Sequence, residues 1–150
     1  MRRIVYGLAS LTAAVLAPTG QSAMAAGASG RLAYGLATVF APRFIAGRFA
    51  APAPESSFMN LRGFGGQHIA IAAFTLFAVR SSHLARPAVL LNVGVETCDA
   101  VVGGLELRDR GIRDPIAVGA VTLPFINLAY WLAALRKVEQ GLATEATDVT

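Results

Sequence analysis

The sequence predicts an all-α integral membrane protein: a four-helix transmembrane bundle with an additional hydrophobic segment at its N-terminus. Three observations predict it. Hydrophobic residues make up 55% of the 150-residue chain, which leaves too little polar surface to clothe a water-soluble domain of that size. The apolar residues gather into runs of roughly 20, the length at which a helix crosses a hydrocarbon layer. The arginines stand singly or in small groups between those runs, as in the loops flanking membrane helices.

Residues 1–26 form the first element. A basic start, MRR, precedes about fourteen mostly apolar residues, the breakers PTG, and then SAMAA, whose Ala23 and Ala25 have the spacing a signal peptidase prefers. The stretch RIVYGLAS at 3–10 returns as RLAYGLAT at 31–38, so the segment also reads as a retained fifth helix. A segment that does not insert, or translation from Met24, stays open beside these two. If the segment inserts, eight arginines, Arg2, Arg3, Arg43, Arg48, Arg62, Arg108, Arg110 and Arg113, share one side of the membrane, against five basic residues on the other. Such asymmetry favours insertion.

Residues 27–136 form the transmembrane domain. Its first span is Arg31–Phe49, interrupted by Pro42 and Arg43. Arg31 and Arg48 are expected to snorkel to opposite surfaces, about 26 Å apart along a helix. The Pro-rich AAPAPESSF loop follows. The second span, Leu61–Val79, places Gly66, Ala70 and Ala73 on one face, a spacing of small residues that lets helices approach closely. The third, Pro87–Leu107, opens with a proline suited to a first helical turn. The fourth, Ile116–Leu135, is free of charge and followed by Arg136 and Lys137, with Tyr130 and Trp131 placed for an interfacial belt and Pro124 bending its middle. Residues 137–150 are polar and expected to fray as a flexible tail.

The third span carries the chemistry. Asn92, Glu96, Asp99, Gly103 and Glu106 follow spacings of four, three, four and three, which makes a single stripe along a helix. An acidic side chain near the bilayer centre costs about 2.5 to 3.5 kcal/mol, so the stripe must face other helices or a watery cavity. Counted from the Arg62 surface, His68 lies about 9 Å deep and Asp99 about 13.5 Å; from the opposite surface Glu96 lies about 15 Å deep and Asn127 about 13.5 Å. The sequence therefore predicts an intramembrane polar cluster of His68, Asn92, Glu96, Asp99 and Asn127, with Arg62 and Glu106 as an ion pair nearer the surface. Buried polar groups of this kind often only fix helix packing through hydrogen bonds. Intramembrane acids beside a histidine also form proton paths in transporters.

Other features exclude function classes. Thirteen Lys and Arg stand against nine Asp and Glu, but no basic stripe interleaved with aromatics marks a nucleic-acid interface. The lone Cys98 excludes an internal disulfide and a multi-thiolate metal site, and lies on a different face from Glu96 and Asp99, as a small packing residue would. RGFGGQH lacks the strand and lysine of a phosphate loop, and His83 belongs to a solvated loop. No nucleophile elbow, metal-ligand spacing or cofactor motif is present, so no catalytic residue, metal or cofactor is expected.

Gly35, the Ala41-Pro42 pair closing a first span, LRGFGGQHIAIAA opening a second, an acid in the third and a clean fourth together resemble the DoxX-like group of small four-helix bacterial membrane proteins. The resemblance covers about residues 31–135 and departs from the group's pattern in the leading segment and in His68. It implies a multi-pass cell-membrane protein, and its better-known members imply links to quinone-dependent sulfur oxidation or membrane redox complexes. Two functions stay open: a non-enzymatic structural or accessory membrane subunit, and a proton-coupled small-solute carrier or quinone-linked redox subunit using the Glu/Asp/His cluster, with Cys98 or His68 near a quinone headgroup. The expected partners are the lipid bilayer and, beyond it, other membrane subunits or a second copy of the chain.

Overall fold

The computed structural model of the protein describes residues 16–49 and 56–148, which are all-α with no strand among them. Five helices follow in order: α1 (Gly20–Phe40), α2 (Pro42–Phe49), α3 (Ser56–Ala78), α4 (Ser82–Arg110) and α5 (Pro115–Asp148). The N-terminal part of the leading segment, residues 1–15, lies outside the described residues.

Local chemistry sets the ends of each element. Thr19 caps α1 reciprocally: its hydroxyl accepts from the Ser22 N–H, and Ser22 Oγ accepts from the Thr19 N–H, each at 3.1 Å. The helix therefore starts at Gly20 and runs through SAMAA, with Ala23 and Met24 fully buried. It stops at Ala41, because the residue before a proline is disfavoured in helical conformation, and Pro42 opens α2 as a first-turn proline. The expected Arg31–Phe49 span is thus the second half of one helix followed by a separate short one.

The other helices are longer than the sequence predicts. α4 starts at Ser82, so Pro87 stands inside the helix. It ends at Gly111, whose φ of +82° suits a residue without a side chain; the Gly111 N–H donates to the Leu107 carbonyl at 2.8 Å. Asp114 then caps α5, accepting from the Ile116 N–H at 2.8 Å and from Arg110 Nε at 2.7 Å. These bonds hold its carboxyl below the usual carboxylate range. The expected flexible tail is helical to Asp148, since Val138 and Leu142 reach the core and Glu139 meets Arg86 at 3.2 Å.

The four long helices run alternately up and down. The start of α1, the end of α3, the start of α4 and the second half of α5 meet in one core: Ala23, Met24, Ala78, Ala85, Ala88, Val89, Tyr130, Trp131, Ala134 and Val138. α1 packs most closely on α3, and α4 on α5; contacts of α1 with α5 and of α3 with α4 join the two pairs. Within each pair backbones nearly touch. A Cβ on Gly65 would come within 2.9 Å of the Gly35 carbonyl oxygen, and a Cβ on Gly103 would collide with the Ala120 carbonyl of α5. The predicted small-residue face was displaced by one residue: Gly65, His68, Ala72 and Thr75 point inward, whereas Gly66, Ala70 and Ala73 are exposed.

Tyr130 and Trp131 also lie elsewhere than predicted. Both are buried rather than at a rim. They fill the space above Gly27, and the Tyr130 hydroxyl donates to the Ala23 carbonyl at 2.5 Å, which supplies the partner a buried phenol needs. The interior is otherwise made of small or polar side chains; the largest with no exposure are Met24, Val89, Asn92, Thr38 and Thr75. The bulky apolar residues face outward, Phe40, Phe77, Val101, Val102 and Phe125 among them. Two stretches, Ser82–Arg110 and Ile116–Thr144, are long and apolar enough to cross a membrane.

Candidate functional site: a buried ion pair between the helix pairs

Arg31 organises the site. On α1 the buried residues Met24, Ala28, Arg31, Gly35 and Thr38 recur every three or four positions, which is one helical face. The glycine contact between α1 and α3 lies one turn from Arg31 and draws it against α3, so its guanidinium enters the bundle instead of reaching the surface the sequence suggested. Its side chain is 5% exposed and forms an ion pair with Glu96 of α4, itself 4% exposed: Nη2 donates to Oε1. Since α1 and α4 are not among the closely packed helix pairs, the pair crosses the centre of the bundle.

The remaining predicted residues can be placed around it. His68 Nδ1 lies 3.4 Å from Arg31 Nη1; a guanidinium only donates, so Nδ1 accepts and the ring proton sits on Nε2. The imidazole is held edge-on by Tyr34 and Phe64, with ring centroids 5.2 and 4.4 Å away. Asn127, on α5, lies close enough for its side chain to act on the Glu96 carboxyl, although it remains exposed. Asp99, half-buried, lies within electrostatic reach of both Arg31 and Glu96. Helices α1, α3, α4 and α5 therefore each contribute to one centre.

Asn92 does not join it directly. Its amide donates to Thr75 Oγ1 and to the Ala88 carbonyl, both at 2.8 Å, and ties α4 to α3 one turn from Glu96. Its Oδ1 is buried with no partner among the described residues. The surface pair is not formed either: Glu106 Oε2 lies 3.6 Å from Arg110 Nη1 one turn along its own helix, while Arg62 borders a separate surface pocket. Cys98 is exposed on the outer side of α4 and so is no packing residue.

Sequence reasoning found the acids and amides but missed Arg31. The signal was present in the small residues Ala28 and Gly35 flanking it at helical spacing, once the helix is taken to start at Gly20. Among the described residues no group of three or more His, Cys, Asp or Glu is placed to hold a metal ion. The centre holds a fixed cation, two carboxylates and an imidazole, so it can lock helices together by charge, or relay a proton between Glu96, Asp99 and water. A lone charge in such a place is costly, and removing one partner of a buried pair typically destabilises by about 3 to 5 kcal/mol.

Comparisons with protein-family models, with curated proteins and with solved structures find no match to this chain.

Proposed function

We propose that the chain is a polytopic cell-membrane protein, with α1, α3, α4 and α5 crossing the bilayer, and that it serves as a non-enzymatic structural or accessory membrane subunit. The observation that carries this is the inverted distribution of its side chains. An ion pair, an imidazole, one amide and two threonines occupy the centre, while phenylalanines and valines cover the outside. In water that arrangement would leave large apolar faces exposed; in lipid it lets every outward face meet acyl chains and hides each charge from them. α4 and α5 are apolar enough to cross alone. α1 and α3 are diluted by Arg31 and His68, and on this reading enter by offering these two groups to partner helices. The DoxX-like assignment belongs to the same proposal, supported by the order of its helices and by the acid in the third span.

A specific observation favours a second function. Polar groups near Glu96 reach the bundle surface: Asp99 is half-buried and Asn127 exposed. That is the chain of polar groups a proton-coupled carrier or a quinone-linked subunit needs.

Reconstitution separates the two. Purified protein is placed in vesicles containing a trapped pH-sensitive dye, and a proton gradient and potential are imposed. The subunit assignment predicts fluxes equal to those of empty vesicles. A protein-dependent flux that disappears in Asp99→Asn, with the protein intact, would replace it with the carrier.

A further inference from the structure

The stretch SAMAA, residues 22–26, carries the alanine spacing of a signal-peptidase site, yet it is built into the bundle. The Thr19 cap starts α1 at Gly20, so Ala23 and Ala25 are helical. The inward face of this first half packs closely on α5. A Cβ on Gly20 would come within 2.7 Å of the Val138 backbone nitrogen, and Gly27 lies under Tyr130 and Trp131. Ala23 and Met24 have no exposure. Two polar bonds join the same segments: the Tyr130 hydroxyl donates to the Ala23 carbonyl, and Lys137 Nζ donates to the Ala17 carbonyl.

We infer that residues 17–31 stay uncut in the mature protein, and that SAMAA is the packed first half of the first span and not a processing site. Two arguments carry this, the second of which rests on the membrane placement proposed above. The first is what a cut after Ala25 would remove. Loss of Gly20, Ala23 and Met24 would uncover Tyr130, Trp131 and Val138. It would also take away the acceptor of the Tyr130 hydroxyl, which a phenol away from water needs. A start at Met24 removes Gly20 and Ala23 equally, and sets a charged ammonium beside the buried Tyr130. The second argument is length. α1 has 21 residues, about 31 Å, which matches a hydrocarbon layer of about 30 Å. Residues 26–40 alone reach about 22 Å before Pro42 breaks the helix, short of the roughly 17 residues that the thinnest span needs. The whole helix also keeps Arg31 near its middle, where Glu96 meets it. After the cut Arg31 would stand five residues from a charged terminus.

The test is peptide mapping of the full chain, produced with a C-terminal tag in bacteria with active signal peptidase, extracted and digested with trypsin. Cuts after Arg3 and Arg31 release the uncut segment as one peptide, residues 4–31. Peptides that run through the Ala25–Ala26 bond are expected to exceed those beginning anywhere from Met24 to Ser29 by about tenfold or more, a margin of about 1.4 kcal/mol read as a ratio. A smaller excess, or predominance of AGASGR from a cut after Ala25, would overturn the inference. A second measurement reads the packing itself. Gly20→Leu is expected to lower the unfolding midpoint in detergent, and Gly30→Leu, where a side chain meets nothing, to leave it unchanged or raise it. A midpoint unmoved by Gly20→Leu would overturn the inference as well, because a residue that has been removed cannot affect stability. Recovery of the chain in the soluble fraction would overturn the membrane placement alone, since the peptide ratio still decides whether the segment is kept.

Discussion

Arg31 sits where helical spacing would otherwise place a small apolar residue, and it is tolerated because Glu96 meets it from the far side of the bundle. The two charges are interdependent. Replacing Arg31 with Met leaves a buried carboxylate unpaired, and replacing Glu96 with Leu leaves a buried guanidinium; each is expected to cost about 3 to 5 kcal/mol. Together the two substitutions remove both charges and fill the space with apolar atoms, which is often neutral or stabilising in buried pairs. Unfolding midpoints in mixed micelles of dodecyl maltoside and dodecyl sulfate are therefore expected to fall steeply for each single variant and to recover in the double one. Additive losses would show that the pair is not the lock. Glu96 and Asn92 were legible in the sequence, since an acid or amide repeating at helical spacing inside an apolar run has few places to go. Arg31 was not, because a lone arginine near the end of an assumed span is ordinarily read as snorkelling. Only the true start of α1, set by the Thr19 cap, puts it at mid-helix.

At the scale of elements, backbone approach decides which helices pair. Gly65 on α3 meets Gly35 on α1, while Gly66, its neighbour, has open space where a Cβ would go. Adding one methyl group at each position separates packing from propensity. Gly65→Ala must push α1 and α3 apart or shift the backbone, with an expected cost of about 1 to 3 kcal/mol. Gly66→Ala meets nothing and gains helix propensity, so its stability is expected to be unchanged or higher. The same unfolding assay reads both, and an equal effect of the two would contradict the α1–α3 register. The sequence showed that small residues open α3 but not which of two adjacent glycines faces inward. Periodicity is blurred there because Gly63, Gly65 and Gly66 follow one another so closely. The helix starts were hidden for a related reason: Pro87 suits a first turn, yet the helix already has its cap region at Ser81 and Ser82.

For the molecule as a whole, the runs of apolar residues conveyed an all-α chain with four long helices. What they did not convey is that the aromatic pair Tyr130–Trp131 fills the core instead of marking a membrane rim. That outcome depends on Gly27, more than one hundred residues away in the chain, offering the space. The central claim is that the outward apolar faces are covered by lipid and the charges lie inside. Cys98 provides the probe, being the chain's one cysteine and exposed on the outer side of α4 between its two ends. The measurement is the reaction of Cys98 with a membrane-impermeant maleimide in intact membranes, before and after denaturation in dodecyl sulfate. A thiol facing acyl chains is expected to stay unmodified until the membrane is dissolved and then to react fully. Rapid, complete labelling in the intact membrane would show that the outer face of α4 stands in water, and would contradict the account.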